Sequence, residues 1–211
     1  MISAQSVNGV LRRVPSWPVY IVGAFPAFWY LYLGLTGGLG VEPIKGLEHA
    51  LGLFGLKLMI AVLAVTPLRK FTGVSLICFR RALGQLVFFY ICSHLVVWLF
   101  LDVQIWRQIW TDILKRPYIT IGMAGFLLMI PLAITSNNWS CRKMGAIAWK
   151  RLHWLTYPAA ILGAVHYVML VKGWQIEPLI YLGIIYILLG LRVKVQNARA
   201  AAKAGKDHRT V

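Results

Sequence analysis

Six stretches of this chain are apolar over about the length that an α-helix needs to cross a membrane, roughly 20 residues. Of the 211 residues, 59% are hydrophobic and only 13% are charged, against about 25% charged in a typical soluble domain. The sequence therefore predicts an all-α integral membrane protein, a six-helix transmembrane bundle in which residues 17–192 form one domain. The predicted spans are residues 17–35, 49–66, 82–101, 118–135, 149–171 and 178–192.

The basic residues, which give the chain a formal net charge of +16, are unequally distributed. Sixteen of the 22 Lys and Arg residues fall on one side of a six-span arrangement. Because Lys and Arg are retained on the cytoplasmic side, both termini are predicted to be cytoplasmic, with residues 1–16 as an N-terminal segment and residues 193–211 as a basic tail that contacts water or lipid. His208, in that tail, is predicted to be solvent-exposed. This pattern indicates topology and membrane lipid as a partner, and it argues against nucleic acid.

His94 and His166 lie inside two different apolar stretches. At a rise of about 1.5 Å per residue, His94 lies about 10 Å and His166 about 8 Å from the ends of their spans that are predicted to face outward. Facing helices of a bundle bring ligands of one cofactor together, and haem iron can take an axial imidazole from each side. We therefore expect this pair to ligate haem iron. The alternative is that each is a buried histidine hydrogen-bonded to a neighbouring helix.

His153 lies about 20 Å from His166 along the same stretch, toward the inner side. It is predicted to contact a second, inner cofactor, either as a single haem ligand or as a donor to a flavin or quinone. Pro158, between the two histidines, is predicted to kink the helix. The residue thirteen positions before His94 is Arg81, so the third span offers no histidine opposite His153.

Several other residues are candidates for contact with a cofactor, but each can also be explained without one. His49 opens the second span, where an interfacial histidine needs no cofactor. Lys57, near mid-span, would contact a haem propionate or an anionic flavin, or it snorkels to the interface. The inner basic residues Arg80, Arg81 and Arg151 would bind a flavin phosphate or propionates, although inward retention of basic residues also explains them. All six acidic residues are predicted to lie outside the spans, which argues against a transporter with carboxylate relays.

Several motifs together resemble the ferric-reductase-like transmembrane family. Residues 149–157 read Trp-Lys-Arg-Leu-His-Trp-Leu-Thr-Tyr, followed by Ile161-Leu162 and His166-Tyr167, which is similar to the fifth-span pattern of that family. The other motifs, in chain order, are Gly38-Leu39-Gly40 with Pro43, Lys45 and His49; Arg80-Arg81 with Gly84 and His94; and Arg116-Pro117-Tyr118 with Thr120 and Gly122. No single motif is specific, but their order and spacing are.

The resemblance implies a bundle of cytochrome b type, b-type haem, FMN, and a place in the bacterial inner membrane. Within the family, the chain more closely resembles the membrane subunits of methionine sulfoxide reductase systems. This resemblance implies electron delivery from the quinone pool or a cytoplasmic flavin reductase to a periplasmic molybdopterin-containing reductase that repairs oxidised proteins. The chain would then be an electron-transfer subunit rather than the catalytic one. Two alternatives stay open: a free-standing ferric or quinone reductase of the same fold, and a non-redox small membrane transporter.

Overall fold

Ten α-helices and no β-strand form the part of the chain that the computed structural model describes, which is residues 4–171 and 175–207, with side chains described to residue 193. His208 and the last residues of the predicted tail lie outside this part. The helices are α1 (Ala4–Arg13), α2 (Trp17–Leu35), α3 (Pro43–Thr72), α4 (Arg80–Val97), α5 (Trp106–Lys115), α6 (Pro117–Ile134), α7 (Asn138–Met144), α8 (Ala146–Leu152), α9 (Thr156–Leu170) and α10 (Ile176–Asp207). The all-helical prediction is confirmed.

Five segments in the described residues are helical, long and apolar enough to cross a membrane: Trp17–Leu35, Pro43–Thr72, Ile77–Val103, Pro117–Ile134 and Ile176–Val193. They match five of the six predicted spans, although α3 begins six residues before the predicted start. The third of these segments joins a 3-10 turn, α4 and a π-helical turn, Trp98–Val103. The chain is thus a multi-pass membrane protein, while the sixth span and the orientation stay predictions.

The predicted fifth span, residues 149–171, is not one continuous helix. It consists of the end of α8, a 3-10 turn at His153–Leu155, and α9, which begins at Thr156. Pro158 therefore lies in the first turn of α9 rather than inside a long helix, contrary to the predicted kink. The reason is local, because proline has no N–H to donate to the carbonyl four residues earlier, and it is best tolerated in a first helical turn.

Two antiparallel helix pairs form the centre of the bundle: α3 packs along α4, the first hairpin, and α6 packs along α9, the second hairpin. Small and aromatic residues bring neighbouring helices close, as is common in membrane bundles. A Cβ added to Gly23 on α2 would clash with the Leu86 side chain on α4. Beside it the fully buried Tyr90 donates a hydrogen bond from its hydroxyl to the Gly23 carbonyl, at 2.7 Å.

Helix α10 is fastened to α3 by a buried arginine. Arg192 is 2% exposed, and it donates from Nε to the Leu63 carbonyl at 2.9 Å and from Nη2 to the Val62 carbonyl at 2.7 Å. The Leu63 carbonyl would normally accept from the N–H of residue 67. That residue is Pro67, which has no N–H. The guanidinium of Arg192 therefore satisfies the acceptor that Pro67 leaves open.

The N-terminal helix α1 is held against the connection between α3 and α4. The Asn8 side chain donates from Nδ2 to the Gly73 carbonyl at 2.9 Å and accepts at Oδ1 from the Ser75 N–H at 2.7 Å. Gly73 ends α3 in the left-handed region, with φ +74°, a conformation that favours glycine. Helix α1 thus packs against the end of the bundle where the basic clusters lie.

Candidate functional site

A cavity of about 410 Å³ lies between the two hairpins, within the range of about 300–1,000 Å³ that is typical of ligand sites. It lies toward the end of the bundle where α3 and α6 begin and where α4 and α9 end. Its walls are mostly apolar, and five glycines widen it. These glycines are Gly52 and Gly55 on α3, Gly122 and Gly125 on α6, and Gly163 on α9.

His94 and His166 meet in this cavity from opposite hairpins. His94 lies in the last turn of α4, and His166 lies near the end of α9. Their ring centroids are 6.3 Å apart and their planes are inclined by 79°. The two histidines that the depth estimate put at one level are therefore brought together in space.

Each imidazole is anchored through Nδ1 to a backbone carbonyl of the partner helix in its own hairpin. His94 Nδ1 lies 2.9 Å from the Glu48 carbonyl oxygen on α3, and His166 Nδ1 lies 2.7 Å from the Tyr118 carbonyl oxygen on α6. A carbonyl oxygen only accepts, so each Nδ1 carries the hydrogen and the lone pair of the neutral ring lies on Nε2. Metal-binding histidines commonly donate their other N–H to a carbonyl in this way.

The distance between the rings fits two ligands on opposite sides of one metal. An imidazole nitrogen binds a metal at about 2 Å, which puts the ring centroid about 3 Å from the metal and two opposed centroids about 6 Å apart. A group of three or more His, Cys, Asp or Glu side chains suited to a bare metal ion does not occur in the described residues. Haem needs only the axial ligands from the protein, because its macrocycle supplies the others. The residues present therefore fit haem.

His49, which was predicted to open the second span on the outer side, also lines the cavity. Its ring is exposed, with its centroid 5.6 Å from that of Tyr167. Lys57, one helical turn beyond Leu53 on α3, is exposed and does not line the cavity. The structure thus places His49 beside the paired histidines and Lys57 on the outside of the bundle.

His153, Arg80, Arg81 and Arg151 lie away from the cavity, none of them among its lining residues. The His153 ring stacks on Trp149 with a centroid distance of 3.8 Å, and its Nε2 lies 3.4 Å from Thr135 Oγ1. Arg81 donates from Nη1 to Asn138 Oδ1 at 2.7 Å. A local hydrogen bond and a stacking partner thus already surround His153, and the inner cofactor predicted for it stays a prediction.

Charged residues at the mouth of the cavity escaped the sequence interpretation. Glu48 lies within α3 and lines the cavity, with Oε1 4.0 Å from His94 Nε2. The prediction that all acidic residues lie outside the spans is therefore wrong for Glu48, and likewise for Asp102 and Glu177, which lie within the segments Ile77–Val103 and Ile176–Val193. Lys45, Asp102 and Arg116 line the same opening. Pro43 at the first position of α3 is the signal that could have placed the helix start earlier, since proline favours that position.

The fold and the site together define a class of membrane protein. Its members are multi-pass helical bundles in which two carbonyl-anchored histidines face each other across a cavity. The family described as ferric reductase like transmembrane component matches residues 50–164. The chain belongs to this ferric-reductase-like transmembrane family, as its motifs predicted.

The relatives that resemble this chain include proteins named protein-methionine-sulfoxide reductase heme-binding subunit MsrQ. The one from Agrobacterium fabrum is 47% identical over 211 residues, which are 100% of this chain and 97% of the relative. The one from Brucella anthropi is 48% identical over 184 residues, 87% of this chain and 83% of the relative. The one from Brucella ovis is 49% identical over 174 residues, 82% of this chain and 79% of the relative. The similarity therefore covers the helices that form the cavity.

Proposed function

We propose that this chain binds b-type haem between His94 and His166 and transfers electrons across the membrane to a methionine sulfoxide reductase. The observation that carries the proposal is the pair of opposed imidazoles, 6.3 Å apart, each held at Nδ1 by a carbonyl. The MsrQ relatives are named as haem-binding subunits of such a reductase, which supports both the cofactor and the partner.

In this proposal the protein supplies ligation, orientation and exclusion of water. Bound haem supplies one-electron redox chemistry. The Nε2 atoms of His94 and His166 would hold the haem iron, and the carbonyls of Glu48 and Tyr118 keep both rings in the tautomer that leaves Nε2 free to bind a metal. The buried side chains of Met59 and Met129, among others, line the cavity floor and keep it apolar.

The direction of transfer rests on the asymmetry of charge. We propose six spans, with residues 149–171 crossing as the fifth, both termini in the cytoplasm, and the inner bacterial membrane as the location. Electrons would enter from the quinone pool or a cytoplasmic flavin reductase at the basic end, near His153, Arg80, Arg81 and Arg151, where an FMN phosphate would also bind. They would leave at the cavity end, where a periplasmic molybdopterin-containing subunit docks.

Spectra of histidine variants test the haem proposal. The detergent-purified chain, His94→Ala, His166→Ala and the double variant are compared for haem content and for the absorption and EPR spectra of the oxidised form. We expect the parent to show a six-coordinate low-spin haem that both single variants lose. His208→Ala is the control, because the proposal gives that histidine no role. A parent without haem, or variants that keep the parent spectrum, would refute the assignment.

The family description keeps a free-standing ferric reductase as the second candidate. Membranes with and without the chain, supplied with a periplasmic methionine sulfoxide reductase, separate the two. Methionine sulfoxide reduction that requires the chain supports the proposed function. Ferric reduction that requires the chain, without any effect on methionine sulfoxide, supports the alternative. A small transporter is separated from both by the haem spectrum.

A further inference from the structure

Most of the residues that line the cavity form pairs separated by a constant number of positions. Each lining residue of α6 has a lining counterpart 70 positions earlier on α3, and each lining residue of α9 except Ala160 has a lining counterpart 72 positions earlier, on α4 or on the π-helical turn that follows it. The first set pairs Glu48 with Tyr118, His49 with Ile119, Gly52 with Gly122, Leu53 with Met123, Gly55 with Gly125, Leu56 with Phe126 and Met59 with Met129. The second pairs Val87 with Ala159, Ile91 with Gly163, His94 with His166, Leu95 with Tyr167 and Trp98 with Leu170.

The same local device occurs in both hairpins. In each, a carbonyl at one position of the first helix accepts from the histidine Nδ1, and a glycine lies four residues later. The carbonyl of a helical residue points along the axis toward the residue four positions on. A ring that reaches this carbonyl from the side must therefore lie over that residue, where a side chain would obstruct it.

Each of these two glycines lies close to the imidazole ring of its hairpin. A Cβ added to Gly52 would lie 3.0 Å from His94 Nδ1, and a Cβ added to Gly122 would lie 2.7 Å from His166 Nδ1. The other cavity-lining glycines of α3 and α6 have a different neighbour: a Cβ on Gly55 would lie 2.9 Å from Ile91 Cδ1, and one on Gly125 would lie 3.4 Å from Leu162 Cβ. Of the glycines that line the cavity from these two helices, only Gly52 and Gly122 thus contact an imidazole.

The amino-acid sequence carries a trace of the same repetition. When residues 45–60 are aligned with residues 115–130, the identical pairs include every glycine that faces the cavity from these two helices. The pairs are Lys45 and Lys115, Gly52 and Gly122, Gly55 and Gly125, Leu58 and Leu128, Met59 and Met129, and Ile60 and Ile130. Both copies begin at the same end of the bundle, so the repeat is a parallel one, with its axis along the helices.

We infer that the two hairpins are copies of one imidazole-holding unit, and that Gly52 and Gly122 are its positioning residues, which set the orientation of His94 and His166 by letting each ring reach its carbonyl. This inference rests on the proposed function, because it concerns how the haem ligands are held. Both glycines have an imidazole as the nearest neighbour of an added Cβ. Their effect on the haem therefore passes through the rings.

Alanine at each glycine tests the inference against matched controls. Gly84 on α4 and Gly183 on α10 are helical glycines with no atom within 4 Å of an added Cβ, so Gly84→Ala and Gly183→Ala report the effect of the substitution alone. We expect Gly52→Ala and Gly122→Ala to lower haem affinity by about fivefold or more, the factor that corresponds to about 1 kcal/mol of overpacking. We also expect the haem that remains bound to lose the parent's low-spin EPR signature, which a general loss of packing would not alter. Gly122→Ala, with the shorter distance, should have the larger effect.

The outcomes separate the inference from the proposed function. A parent without haem, or a parent spectrum that His94→Ala and His166→Ala leave unchanged, refutes the function itself. A parent with low-spin haem, together with glycine variants that match the controls in affinity and EPR spectrum, overturns the inference alone. If Gly122→Ala does not fold, the Gly122→Ala/His166→Ala double variant lacks the ring that the added methyl meets and must recover folded protein. Failure of that recovery also overturns the inference.

Discussion

Replacement of Arg192 by methionine is expected to loosen α10 from α3, and the structure sets the size of the effect. Arg192→Met removes two hydrogen bonds from a charged donor, to the carbonyls of Leu63 and Val62. At about 1.5 kcal/mol each, the loss is about 3 kcal/mol. The Leu63 carbonyl is then left without any partner, because residue 67 is proline and donates nothing.

A second substitution, Pro67→Ala, tests the role of the Leu63 carbonyl. Pro67→Ala supplies an N–H at the position from which the Leu63 carbonyl would normally be satisfied. In the Arg192→Met background this new bond should recover about 1 kcal/mol. In the parent the same substitution should have a smaller effect through this carbonyl, because Arg192 already satisfies it. The two substitutions should therefore couple by about 1 kcal/mol in a double-mutant cycle.

Equilibrium unfolding in detergent or lipid bicelles, followed by circular dichroism, measures the stability of the parent, the two single variants and the double variant. Arg69→Met is the control, since it removes an exposed arginine from the same region of α3. An Arg192→Met variant as stable as Arg69→Met would refute the role assigned to the guanidinium. Strict additivity of Arg192→Met and Pro67→Ala would refute the role assigned to the open carbonyl.

Three further outcomes are expected. Tyr90→Phe should lower the free energy of unfolding by about 1–2 kcal/mol, because it removes the buried hydroxyl that donates to the Gly23 carbonyl. A loss of less than about 0.3 kcal/mol would contradict this. Asn8→Ala should release α1 from Gly73 and speed proteolytic cleavage within the first 13 residues, and cleavage at the parent rate would show that the two hydrogen bonds do not hold α1. In a chain with Cys78 as its only cysteine, exposed between α3 and α4, an impermeant maleimide should label inverted vesicles and not intact cells, whereas labelling of intact cells would reverse the predicted orientation.

The features that sequence alone predicted are those that depend on local composition. The first span was predicted at residues 17–35, and the structure has the helix Trp17–Leu35, since an apolar run bounded by prolines and glycines marks its own ends. The shared level of His94 and His166 followed from helical rise, which is nearly constant. The family motifs pointed to the ferric-reductase-like family, and the family match confirms it.

The features that sequence could not predict depend on which residues meet across helices. Hydropathy placed the start of the second span at His49, yet α3 begins at Pro43, and Glu48 uses its backbone carbonyl to hold His94. Lys57 shares α3 with the cavity residues but lies on another face, and no local pattern of an apolar helix distinguishes the faces. The hydrogen bonds at Nδ1 were likewise invisible, since backbone carbonyls carry no sequence signal.

Because each imidazole is oriented within its own hairpin, neither ring depends on the opposite half of the chain for its direction. The hydrogen bond that orients His94 needs only residues of the first hairpin, and the one that orients His166 needs only residues of the second. A cofactor bound by both rings would then link two hairpins whose ligands are already oriented. In the proposed function, rings held in this way would need little rearrangement when a bound metal changes oxidation state, which is the condition under which electrons move quickly.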